Sequence, residues 1–198
     1  PGVAARFSPA PPDPAAGATL RGELGITGAF CLQVGAYERH KGSATVADAV
    51  RKVRGQGIDL VLVRCGVRGE TSREEGVVDL GWVDDDALLR LYRYADLVCV
   101  ASTHEGFGFP VLEAMRCGTP VIATDVPGLR EAAGDAAVLV PVDDAAALAT
   151  ALNTLLGSSV ERERLRQAGL AWAGNFTWEK NATVTLELLR EVVGSARA

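Results

Sequence analysis

Apolar positions along this chain follow two rhythms. Short runs that are apolar nearly throughout have the length of strands: AFCLQV (29–34), IDLVLV (58–63), DLVCVAS (96–102), PVIAT (120–124) and AAVLV (136–140). A briefer one lies near 77–80. Between them the apolar spacing opens to three and four, as one face of a helix requires. This holds for SATVADAVRKVR (43–54), DALLRLYRYA (86–95), PVLEAMRC (110–117) and DAAALATALNTLL (144–156), then for stretches at about 160–173 and 178–193. Ser43, Asp84 or Asp85, and Asp143 or Asp144 are the expected N-caps. Pro110 suits a first helical position, and Gly118 suits a helix end.

Strands without polar alternation have both faces buried, and helices between them make the sheet parallel. The expected fold class is therefore α/β, a Rossmann-like doubly wound parallel sheet of about six strands. FSPAPPDPAAGA (7–18), rich in proline and alanine, is expected to run extended outside the core. In such sheets ligands bind beyond the carboxyl ends of the strands, here the loops after Val34, Val63, Val83 and Ser102.

Bulk composition narrows the function classes. The 198 residues suffice for one large domain, and 48% hydrophobic with 23% charged residues is ordinary for a globular protein. A net charge of −5 argues against nucleic acid as a partner. No apolar run has the length of a membrane span, and no signal peptide is evident. Cys31, Cys65, Cys99 and Cys117 are widely spaced, which fits reduced, buried thiols and a cytoplasmic location. A chain opening on Pro1 is expected to be a fragment or a processed piece.

Three rim loops carry chemistry. HEGFGFPVLEAM (104–115) sets Glu105 before Gly106, Phe107 and Gly108, then enters a helix whose free N–H groups and dipole favour phosphate. Glu113, about one turn inside, is placed to accept from two neighbouring hydroxyls, as a carboxylate does for ribose in dinucleotide folds. VGAYERHKG (34–42) turns at Gly35 and gathers Arg39, His40 and Lys41, three potential cations for a diphosphate. WVDDDA (82–87) offers backbone and carboxylates to a base edge. Each has a plainer alternative. These are a charge favouring a first turn (Glu113), a solvated loop position (Glu105), a solvated basic turn (39–41), an N-cap (84–86) and core packing (Phe107).

EGFGFPVLEAMRCGTPVIATDVPGLREAAGDAAVLVPVDDAAALATAL (105–152), with its two glutamates eight positions apart, resembles the carboxyl-terminal domain of family 4, group 1 glycosyltransferases of the GT-B fold. RFSP, VGAYERHKG, LGWVDDDALLRLYRYAD and FTWEKNA match in family order over essentially the whole chain. The resemblance implies a retaining, metal-independent hexosyltransferase with no cofactor, taking a UDP- or GDP-linked sugar. It implies that the acceptor is held by an N-terminal domain missing here, with peripheral membrane association of the full-length enzyme among its expected contacts.

Residues 1–28 would be the linker, 29–174 the nucleotide-sugar domain, and 175–198 a helix returning toward the missing domain. Glu113 would bind ribose, and Glu105 would lie beside the donor sugar. Gly106, Phe107 and Gly108 would meet sugar hydroxyls, and Val111 and Leu112 would offer amides to phosphate. Lys41 would hold the diphosphate with Gly35, Arg39 and His40 around it, and Val83 and Asp85 would lie at the base. Glu105 and Lys41 are the expected catalytic pair. Places that many relatives fill with arginine hold Ala36 and His40, and Cys65 stands near where a strand-end glycine is usual. The alternative class is a non-catalytic nucleotide-sugar-binding module of a degenerate or regulatory protein.

Overall fold

The computed structural model describes residues 1–9, 13–35, 39–66 and 74–195. Six strands form one parallel sheet: β1 (Ala29–Val34), β2 (Leu60–Cys65), β3 (Val77–Asp79), β4 (Leu97–Val100), β5 (Val121–Thr124) and β6 (Val138–Val140). Their order is β3-β2-β1-β4-β5-β6, so the chain reverses direction across the sheet between β1 and β4. A crevice opens at such a reversal, because the connections leaving the two strands diverge to opposite sides. The doubly wound fold expected from the apolar strands is the fold observed.

Side chains alternate strictly between two cores, as a period of two dictates. Phe30, Leu32, Val63, Cys65, Val98, Val100, Val121 and Ala123 enter the cluster beneath helices α3 (Asp85–Tyr94), α4 (Phe109–Cys117) and α5 (Pro127–Ala133). Cys31, Leu60, Leu62, Leu97, Cys99 and Ile122 enter the other, beneath α2 (Ser43–Arg54) and α6 (Ala145–Gly157). Buried polar side chains on this second face lie near the carboxyl ends of strands, among them Gln33, Arg64 and Thr124. Arg64 faces Asp79 across the β2–β3 register and donates to it through Nε and Nη2, the latter at 2.8 Å.

Several expectations shift. The segment expected to run extended is helical over α1 (Pro14–Glu23), and Phe7 and Leu20 join the core. Asp13 caps α1 by accepting from Ala15 and Ala16, and Pro14 sits at the helix start, where no N–H is needed. β2 lies two residues later than the expected run, ending at Cys65 rather than Val63. The rim loop placed after Val83 starts after Asp79 instead. α4 starts at Phe109, one residue before Pro110. Ser43 is the first residue of α2 rather than its cap, because Gly42 takes the N-cap position in a left-handed conformation. α5 was not expected at all, having seven residues and no polar cap at Val126.

α3 and α6 are capped by Asp84 and Asp144 as anticipated, and α4 ends at left-handed Gly118. The last two helices, α7 (Ser159–Ala173) and α8 (Trp178–Ser195), match the expected stretches. All four cysteines are buried free thiols. Among the described residues, no helix is long and apolar enough to cross a membrane.

Gly42 is where fold and rim meet. Its φ is +64°, and a Cβ there would stand 2.1 Å from the Ala101 carbonyl oxygen in the loop leaving β4. Left-handed strain and a backbone clash therefore act together. Gly42→Ala is expected to lower unfolding stability by about 2 kcal/mol or more in urea denaturation.

Candidate functional site

An ion pair joins the loops that leave β1 and β4, where the strand order reverses. Lys41 Nζ lies 2.7 Å from Glu105 Oε1, joining the loop after β1 to the loop after β4. Both side chains are largely shielded, at 23% and 14% exposure, so this pair is held more firmly than a surface one. Ser102 Oγ donates to the same Glu105 oxygen at 2.9 Å, and Thr124 Oγ1 in turn donates to the Ser102 carbonyl. On the lysine side, Gln33 Nε2 donates to the Lys41 carbonyl at 2.9 Å, and Thr103 N–H donates to the His40 carbonyl at 2.7 Å. These bonds fix the 3-10 turn Arg39–Lys41 against the β4 loop.

Gly35 closes β1, and a Cβ there would touch the Lys41 stem at 3.7 Å. His40 stacks on His104 with centroids 4.8 Å apart. The Arg39 side chain lies outside the described residues, as does Ala36.

The glycine elbow leads directly into α4. Gly108 is its N-cap with φ 92°, where a Cβ would meet Leu129 Cδ2 at 2.8 Å. Among the described residues no side chain caps this helix, and its first turn carries no acidic residue to offset the positive end of its dipole. The Val111 N–H donates to the Gly108 carbonyl at 3.0 Å, while Val111 and Leu112 side chains are fully buried. Gly106 is exposed with open space where a side chain would go. Phe107 packs with Phe109 and Phe176, at 5.3 and 6.0 Å between centroids, and rests on the core.

Glu113 sits deeper on α4 and does not touch the Lys41–Glu105 bridge. Tyr92 Oη, from α3, donates to its Oε2 at 2.9 Å. Burial raises the Glu113 carboxyl above its ordinary value, while the Tyr92 bond and the Arg6 charge oppose that rise and Asp85 adds to it. Asp85 opens α3 and pairs with Arg6, and Val83 rests half-buried on the core just before it. Cys65 and Cys117 are also near: burial pushes both thiols up to about 12, and the Glu113 charge adds to the rise in each.

The sequence-derived candidates thus divide into a bridge group (Gly35, His40, Lys41, Glu105) and a carboxylate group (Asp85, Glu113). The α4 start links them in sequence. Tyr92, Ser102, Gln33 and Arg6 were missed. Tyr92 left one trace, since a tyrosine on the inward face of an amphipathic helix needs a partner for its hydroxyl.

Glu113 is costly to the fold as an anion. Its proton is held more tightly in the folded than in the unfolded chain, so its contribution favours folding at low pH. That contribution is lost as pH rises through the window between the ordinary and the raised value. Glu113→Gln, which still accepts from Tyr92, is expected to raise the melting temperature at neutral pH by a few degrees. The gain should vanish once the pH falls below that window, as a melting series across pH would show.

Comparison with known proteins bears on the family and the fold. A family model described as "Glycosyl transferases group 1" matches residues 20–172. The phosphatidyl-myo-inositol mannosyltransferase of Mycobacterium tuberculosis is 37% identical over 183 residues, covering 85% of this chain and 48% of that protein. A glycosyltransferase from Rickettsia africae superposes with a TM-score of 0.81 at 19% identity, covering 97% of this chain and 56% of that one. Anabaena HepE, solved in complex with UDP and glucose, gives 0.77 at 23% identity over 89% of this chain and 52% of that one. The chain spans about half the length of each of these proteins. A Rossmann-like sheet of the GT-B kind and a family match over most of the sequence lead to one conclusion: this chain belongs to the group 1 glycosyl transferases.

Proposed function

We propose that this chain is the donor-binding half of a retaining glycosyltransferase. It would transfer a hexose-type sugar from a UDP- or GDP-linked donor to an acceptor hydroxyl without a metal ion. The observation that carries the reading is the Lys41–Glu105 bridge across the sheet reversal, beside the uncapped start of α4 with Glu113 a turn further in. The names of similar proteins support the chemistry: one is a mannosyltransferase, and another was solved with UDP and glucose.

In this reading Glu113 accepts from the two ribose hydroxyls, and the α4 amides and Lys41 face the diphosphate. Donor phosphate then competes with Glu105 for the Lys41 ammonium, leaving the Glu105 carboxylate beside the sugar. The difficult event is departure of the nucleoside diphosphate from an oxocarbenium-like sugar. A cation and a helix dipole aimed at the leaving oxygen stabilise charge where it grows, usually the largest catalytic contribution. Substitution proceeds on one face: the acceptor oxygen bonds to the anomeric carbon as the bond to phosphate breaks. The acceptor proton passes to the departing phosphate oxygen. The two glutamates are not a hydrolase acid–base pair, because Glu113 is committed to ribose and bound to Tyr92. The acceptor lies against the other half of the enzyme, so this chain alone binds donor and turns it over poorly.

Glu113→Ala is expected to weaken UDP or GDP binding about tenfold or more by calorimetry, since it removes hydrogen bonds to a charged acceptor. Unchanged affinity rejects the ribose role. Lys41→Ala in the full-length protein is expected to slow transfer by about 100-fold or more, with a smaller loss in nucleotide affinity.

A further inference from the structure

The Glu113 side chain has an unresolved mechanical problem. The last torsion of a glutamate is broad and roughly two-fold, so a carboxylate on its own does not present its oxygens in a fixed plane. A ribose diol, with two hydroxyls fixed by the ring, needs that plane held. The single donor to Glu113 among the described residues is Tyr92 Oη, 2.9 Å from Oε2.

We propose that Tyr92 is a positioning residue for nucleotide binding: its hydroxyl locks the plane of the Glu113 carboxylate so that the ribose diol meets a preset pair of acceptors. The inference rests on the ribose-binding reading of Glu113. Tyr92 is itself immobilised from three directions. Its side chain is fully buried. The Thr119 hydroxyl donates to its backbone carbonyl. The Phe7 ring packs edge-on against it, with centroids 5.7 Å apart at 84°. A hydroxyl on so rigid a ring is a fixed point in the frame of α4.

The acceptor count also matches. An ionised carboxylate offers about four lone-pair positions. Tyr92 takes one on Oε2, leaving Oε1 and the remainder of Oε2 for two hydroxyls. The bond does a second service, since it opposes the effect of burial and helps keep the carboxylate ionised. A neutral acid would offer a donor where ribose needs acceptors. The titratable and charged groups around Glu113 are Tyr92, Arg6, Asp85, Cys65 and Cys117. Of these, the described structure shows Tyr92 alone hydrogen-bonded to it.

The test is calorimetry on the full-length protein with UDP, GDP and their 2′,3′-dideoxy counterparts, from acid to neutral pH, for Tyr92→Phe and Glu113→Gln. In Tyr92→Phe, the preference for the ribose form is expected to fall about tenfold, while dideoxy affinity stays constant. The acid limb of ribose-form affinity moves to higher pH, because the donor that favoured the anion is gone. Equal losses for ribose and dideoxy ligands, with an unmoved limb, overturn the proposal and leave Tyr92 as packing. If Glu113→Gln abolishes ribose preference while Tyr92→Phe keeps it, the ribose reading stands and the role of Tyr92 falls. If Glu113→Gln keeps the preference, both fall. Should Tyr92→Phe fail to fold, fluorotyrosine at position 92 keeps the shape and donates more strongly. It is then expected to move the acid limb to lower pH, and a stationary limb overturns the proposal.

Discussion

A parallel sheet buried on both faces decides where this protein can be polar. Each strand contributes side chains to two apolar cores, so a charge placed mid-strand would be desolvated without a partner. The sequence obeys the constraint: polar groups on the α2 side of the sheet are deferred to Gln33, Arg64 and Thr124, near strand ends. Arg64 is matched in register by Asp79 on the adjacent strand, so its buried charge is paired. The same rule brings Lys41 and Glu105 together, because loops leaving β1 and β4 are the nearest places where charge can meet water.

What the sequence disclosed follows from that constraint. Strands apolar on both faces announced a parallel sheet, and loops at their ends announced the rim. Aspartates before apolar periods marked the caps at Asp84 and Asp144. What stayed hidden was set by contacts distant along the chain. Nothing local told that Pro14 begins a helix packing Gly17 against the Tyr94 ring, because prolines and alanines serve linkers equally well. α5 was too short to show a period, and it lies where its Gly128 meets the Glu105 carbonyl, a partner 23 positions away. The E-x7-E spacing showed two glutamates flanking an elbow, but not that one belongs to a lysine and the other to a tyrosine.

The two glutamates illustrate how environment separates identical side chains. Glu105 is surrounded by donors, the Lys41 ammonium and the Ser102 hydroxyl, and serves as an anion in an ion pair. Glu113 lies among apolar helices with a neutral donor, and burial pulls it toward its protonated form. A fold optimised for stability would not place a carboxyl there. A largely buried carboxyl held by a neutral donor costs stability, and such groups occur more often at functional sites than in plain packing.

The four buried cysteines have a practical corollary. Sulfur attacks alkylating agents and peroxides as the thiolate, and at neutral pH a thiol held near 12, as Cys65 and Cys117 are, contains almost none. In the intact protein these two thiols should therefore stay silent toward iodoacetamide and air. Labelling of Cys65 and Cys117 would report only on molecules that have opened, making these two thiols a built-in gauge of unfolding.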